Sequence, residues 1–171
     1  MKKSSKTVLI LVSCFLLLFT SCKIRYGLNG ATIPLEAKTV SVIYFQNQAP
    51  LASPLISQQF TEALKDICSS QTRLALTSKN GDLNFEGAVT GYGVTPLAIQ
   101  ATDNAALNRL TITVNVKYSN KFEEKKNFEN TFTRYADFSS SQSLASVESE
   151  LIKQINKQLT EDIFNKAFNN W

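Results

Sequence analysis

The chain has 171 residues, 43% of them apolar and 19% charged, enough for one globular domain and too few for two. Its formal charge of +4 owes three units to Lys2, Lys3 and Lys6, which stand ahead of an apolar run; without them +1 is left, too little for phosphate-tracking nucleic-acid binding. Histidine is absent, which excludes every triad, metal site or acid–base scheme built on imidazole.

Residues 1–21 have the grammar of a secretory signal: a basic start, an apolar stretch from Val8 to Phe19, then Thr20 and Ser21. That stretch is 12 residues long, short of the roughly 20 a spanning helix needs. Phe19-Thr20-Ser21-Cys22 resembles a bacterial lipobox, with Phe19 in place of the usual Leu. That resemblance implies cleavage before Cys22, which becomes the acylated (palmitate-bearing) lipid anchor and holds the protein on a membrane through its acyl chains. In an ordinary secreted protein, Cys22 and Cys68 would instead be free to pair. With Cys22 acylated, Cys68 is left alone, and core packing without a disulfide has to hold the fold. Lys23, where inner-membrane lipoproteins of many Gram-negative bacteria carry Asp, implies by that resemblance the outer membrane, on its periplasmic side.

Residues 22–37, with Gly27, Gly30 and Pro34, read as a lipidated tether, and 38–171 as a single domain. Lys38–Phe45 predicts a strand with Val40, Val42 and Tyr44 on one face. Ser53-Pro54 predicts a helix start, with Ser53 as cap; Ile56, Phe60, Ala63, Leu64 and Ile67 follow at helical spacing. Arg73–Thr77 and Leu83–Thr95 are strand candidates, and Asn80-Gly81 between them predicts a hairpin. On the second of these, Leu83, Phe85 and Val89 share one face and Asn84, Glu86, Thr90 and Tyr92 the other, while Gly87, Gly91 and Gly93 signal bulges or close approach.

Leu107–Tyr118 alternates most clearly, with Leu110, Ile112, Val114, Val116 and Tyr118 inward and Arg109, Thr111, Thr113, Asn115 and Lys117 outward. Asn127–Phe138 alternates again, Phe128, Phe132 and Phe138 against Thr131, Thr133 and Tyr135, and Leu144 to Trp171 reads as a long amphipathic helix. The class is α+β in two layers: a mixed, mostly antiparallel sheet of four to five strands with two helices packed on one face. Thr111, Thr113, Asn115, Thr131 and Thr133 then line an uncovered face, a candidate partner surface. Solvent is the ordinary neighbour of such a face.

No nucleophile elbow, Walker loop or zinc-type cysteine spacing occurs, and Glu123 and Glu124 sit among Lys121, Lys125 and Lys126 as a solvated cluster. The expectation is a non-enzyme without cofactor or metal. The segments YGLNGATIP, QQFTEALKD, ALNRLTITVNVKY, FTRYADF and EDIFNKAF resemble a divergent branch of the LptE family of lipopolysaccharide-assembly lipoproteins. The resemblance implies an outer-membrane lipoprotein that helps assemble, and plugs, the LptD β-barrel for insertion of lipopolysaccharide into the outer leaflet. It also makes Arg109, Lys117 and Arg134 candidates for lipopolysaccharide contact, although no family motif fixes these positions. The alternative is a periplasmic adaptor lipoprotein that binds a soluble partner through the same sheet face.

Overall fold

The computed structural model describes residues 33–50, 52–97 and 106–169. The leader, Cys22 and the tether as far as Thr32 lie outside the described residues. Six strands form one mixed sheet: β1 (Thr39–Val42), β2 (Gln46–Asn47), β3 (Ala75–Thr77), β4 (Leu83–Leu97), β5 (Leu107–Asn120) and β6 (Phe128–Ser139). The strand order is β3-β1-β4-β5-β6, with β2 continuing beside β4 beyond β1. β1 runs parallel to both β3 and β4, whereas β4, β5 and β6 form an antiparallel meander.

Two helices, α1 (Leu55–Gln71) and α2 (Leu144–Phe168), pack side by side on one face of this sheet. α1 lies over β1, β2, β3 and the start of β4, and α2 over β5 and β6. The predicted stripe of α1 buries Ile56, Phe60 and Leu64, joined by Cys68, Ser57 and Thr61. Pro54 holds the cap position, and Ser53 before it takes the first two helical N–H groups, that of Leu55 on its Oγ at 3.4 Å and that of Ile56 on its carbonyl at 3.1 Å. α2 buries Asn156 and Thr160 besides its apolar stripe, and Asn156 borders the groove between the helices together with Gln59 and Ala63 of α1.

The inward side of β5 is buried from Leu110 through Tyr118, as its alternation requires. Tyr118 stands at the centre of an aromatic cluster, with ring centroids 4.9 Å from Phe85, 5.3 Å from Phe128 and 6.1 Å from Phe168. This cluster fastens the last turn of α2 onto the sheet. Cys68 is fully buried in the same core, and desolvation pushes its thiol up to about 12, so it is an inert packing group at neutral pH.

Three expectations are corrected. Asn80-Gly81 does not close a hairpin, because β1 lies between β3 and β4 and the linking chain must step across it. Asn80 takes the left-handed conformation at φ 57°, and Gly81 then crosses the β1 backbone so closely that a Cβ would fall 2.5 Å from Ser41 N and 2.8 Å from Val40 C. The turn residues are used, but not to reverse the chain: β3 and β4 both run parallel to β1, and the Asn-Gly step carries the chain across that strand without changing its direction. The crossing is pinned on both sides. Gly81 N–H donates to Ser41 Oγ at 3.0 Å, and the Asp82 carboxylate accepts from Lys38 N–H at 3.0 Å, Thr39 N–H at 3.1 Å and Thr39 Oγ1 at 2.8 Å.

Tyr92 changes face. The pairing of β4 with β5 slips between Val89 and Gly91, which leaves Thr90 as an extra residue and puts Tyr92 opposite the buried Ile112. Its hydroxyl donates to Glu148 at the start of α2; burial, then this carboxylate, raise its pKa. Finally, Lys38–Phe45 is not one continuous strand: β1 ends at Val42, Tyr44 turns outward, and Phe45 is buried against Phe60 with centroids 4.9 Å apart.

Two outcomes follow. Phe168→Ala should cost about 3–5 kcal/mol in urea unfolding, since it empties the aromatic cluster at the end of α2. The hydrogen bonds from Lys38 and Thr39 hold the Asp82 carboxyl below its ordinary value, so its contribution to stability is present above the ordinary carboxylate range and is lost as pH falls through the lowered native value. Asp82→Asn should therefore flatten the acid limb of a stability–pH curve measured by circular dichroism, and an unchanged limb would refute the clamp.

Candidate functional site

The sheet face turned away from the helices carries the candidate surface. The register places Thr111 opposite Tyr135, Thr113 opposite Thr133 and Asn115 opposite Thr131, so the five predicted partner-facing residues form one contiguous patch on β5 and β6. The hydroxyls of Thr113 and Thr133 bond to each other at 3.0 Å. On the β4 side Gly91 lies beside Thr113 and Gly93 beside Thr111, which keeps the patch low. A Cβ at Gly91 would meet Thr113 Cβ at 2.9 Å, whereas one at Gly93 would meet nothing within 4 Å. Among the described residues, no element packs over this face.

Charge sits at the two ends of the patch. At one end Arg109 grips Asp137 through two bonds, 2.7 and 2.9 Å, and lies 3.5 Å over the Tyr135 ring. This pairing raises the arginine's pKa and lowers that of Asp137. At the other end Lys117 Nζ stands 2.8 Å from the Glu86 carboxylate, which raises its pKa. Eight residues of strand separate Arg109 from Lys117, about 27 Å. Beside Lys117 the face opens into a concavity of about 560 Å³ bordered by Tyr44, Gln46, Glu86, Asn115 and Glu129.

Arg134 belongs to a different surface. It has the parity of the helix-covered side, opposite Ile112, and its guanidinium takes both oxygens of Asp162 on α2, the longer bond being 2.8 Å. The three candidate cations therefore form no common site, and each is neutralised by a carboxylate. Tyr135 and Asp137 are the contributors that sequence reasoning missed. The signal was present in the strand pairing, since Asp137 is the cross-strand neighbour of Arg109.

The patch offers hydroxyl and amide donors and acceptors on a rigid, nearly neutral surface. No group of three or more Cys, Asp or Glu side chains among the described residues is arranged to hold a metal ion. No helix among them is long and apolar enough to cross a membrane. Glu123, predicted to be a solvated charge, is paired at 2.8 Å with Lys126.

A protein-family model, LptE, described as lipopolysaccharide-assembly, matches residues 37–167. No curated protein sequence matches the chain. Among solved structures, the hypothetical protein CT253 from Chlamydia trachomatis is 9% identical with a TM-score of 0.52 over 78% of this chain and 100% of its own. A neuraminyllactose-binding hemagglutinin homolog from Helicobacter pylori is 11% identical with a TM-score of 0.51 over 81% and 87%. The uncharacterized lipoprotein B from Nitrosomonas europaea is 17% identical, TM-score 0.48, over 78% and 82%. The first two likenesses show the fold.

Because of its contact with Thr113, Gly91→Ala should destabilise the domain by about 1–3 kcal/mol through overpacking. Gly93→Ala should stay within about 0.5 kcal/mol of the unmodified chain in the same denaturant titration. Equal effects would show that the flatness of this face does not depend on Gly91.

Proposed function

The chain belongs to the LptE family of lipopolysaccharide-assembly proteins, and from that premise we propose that it acts as an outer-membrane lipoprotein, anchored through Cys22 on the periplasmic side, that supports and plugs the LptD β-barrel. The observation that carries the reading is the uncovered patch of Thr111, Thr113, Asn115, Thr131 and Thr133. The lumen of a large barrel is polar and walled by side chains that need hydrogen-bonding neighbours. A rigid hydroxyl and amide surface of nearly zero charge supplies them without burying an unpaired ion.

Support of the barrel is favoured over carriage of lipopolysaccharide. Phosphate contact by Arg109, Lys117 or Arg134 requires displacing the carboxylate that each one holds, Asp137, Glu86 and Asp162 respectively. On this face the concavity offers acyl chains no apolar channel, because it is lined largely by polar and charged side chains.

The test is detergent solubilisation of native outer membranes, capture through a C-terminal tag and mass spectrometry of what stays bound. The expected result is an LptD-type barrel in near-equal amount. Thr113→Arg with Thr133→Arg should lower that recovery about tenfold, as expected for charges forced into a desolvated polar contact. Gln154→Arg, on the exposed side of α2, should leave it unchanged. Recovery of a soluble periplasmic protein instead would make the adaptor reading the correct one.

A further inference from the structure

One end of the domain gathers features that the sheet-face reading does not use. The β5–β6 connection holds Lys121, Phe122, Lys125 and Lys126, and Phe122 is 46% exposed at its tip. Lys121 ties this connection to the crossing over β1, its N–H donating to Asp82 O and its Nζ to Asn80 O, both at 3.1 Å. Asp82 in turn holds Lys38, where the described chain enters the sheet. Lys166, near the end of α2, shares a cavity with Lys125 and lies 5.9 Å over the Phe128 ring. Leu35, in the turn just before Lys38, is 79% exposed. Leu35 and Phe122 are thus two bare apolar groups at an end where Lys38, Lys79, Lys121, Lys125, Lys126 and Lys166 outnumber Glu36, Asp82, Glu123 and Glu124.

Bare apolar side chains among lysines suit one kind of surface, a bilayer interface with anionic headgroups. The apolar groups enter the acyl boundary and the ammonium groups lie at the phosphates. The position of the anchor points the same way. Cys22 precedes Ile33, which packs against the core, by eleven residues, at most about 40 Å of fully extended chain. The tether joins the domain just ahead of Lys38, where the chain enters the sheet at this end, so the anchor lies within reach of it.

We infer that in the lipoprotein before a barrel takes it up, this end is a docking surface for an anionic glycerophospholipid leaflet, with Leu35 and Phe122 inserted at the interface and Lys38, Lys79, Lys125 and Lys166 on the headgroup phosphates, while Lys121 and Lys126 stay with Asp82 and Glu123. The inference rests on the reading of Cys22 as the lipid anchor, and it needs no barrel. It gives the tethered domain a fixed orientation, strands upright and the Thr/Asn face sideways.

The experiment places the full-length lipidated protein in vesicles of phosphatidylethanolamine and phosphatidylglycerol whose acyl chains are brominated, and reads tryptophan fluorescence against unbrominated vesicles. The chain has one native tryptophan, so each variant is compared with the unmodified protein. Phe122→Trp and Leu35→Trp should each be quenched about twofold, as expected for an indole at the acyl boundary. Leu107→Trp, at the opposite end of β5, should not be. Lys79→Glu with Lys125→Glu and Lys166→Glu should abolish the quenching at position 122 although the anchor still holds the protein on the vesicle. Equal quenching at 122 and 107 overturns the inference. So does undiminished quenching in pure phosphatidylcholine, which would make the contact apolar alone, and so does quenching removed by millimolar inorganic phosphate, which would make the lysines a site for a free anion. Palmitate incorporation into the same preparation reports the anchor independently. Failure of docking and failure of the barrel reading are therefore distinguishable, because no barrel is present.

Discussion

β5 is paired along both edges, to β4 and to β6, and it has water-excluding packing on only one of its faces. Its five inward side chains from Leu110 to Tyr118 are the floor on which both halves of the core rest. Fully burying such side chains is worth about 1.5–3 kcal/mol each, so the floor ranks with the largest favourable contributions in the domain. Two helices cover one face of this sheet; in the described residues the other face has no layer of its own. The polar outward set is a condition of that architecture. Had Thr111, Thr113 and Asn115 been apolar, the sheet would expose a broad patch prone to association.

The parts of this fold that were legible in the sequence are those with uninterrupted periodicity. β5, β6 and both helices show it, and the five-residue outward patch follows because a regular strand keeps its alternation. What was not legible depends on events with no periodic trace. The slip at Thr90 reverses the parity of everything after it on β4, and nothing short of the pairing with β5 announces it. The crossing at Gly81 is a similar case. Asn-Gly marks a tight reversal, but whether the chain then pairs with the preceding strand or steps over another depends on which strand β1 selects as neighbour. β3 has only three residues and gains its place through β1, not through β4.

Charge was the least legible layer. Arg109, Lys117 and Arg134 look alike as isolated cations in a list of residues, yet the pairing assigns each a carboxylate from a different element: Asp137 on β6, Glu86 on β4 and Asp162 on α2. These pairs are partly exposed, and each contributes little to stability. Their consequence, in the reading proposed above, lies in recognition, because they leave the sheet face close to neutral and present a set of hydroxyls and amides. A surface of that kind matches a polar wall by shape and hydrogen bonding, and it avoids the desolvation cost that a free arginine would carry into a confined contact.

The two surfaces of the domain are set at right angles by the meander itself. β4, β5 and β6 run the same axis, so the Thr/Asn face lies along their length while Leu35, Phe122 and the surrounding lysines lie at one end of it. A domain standing on that end holds its long strands roughly along the membrane normal, which is also the direction in which the strands of a spanning barrel rise, tilted by about 35–45°. β5, at about 45 Å, is as tall as a bilayer with its headgroups. In the reading proposed above, the orientation that satisfies the lysines and the two bare apolar groups is the one that already aligns the strands of the domain with those of a barrel in the same membrane, so that its uptake needs no rotation of the domain.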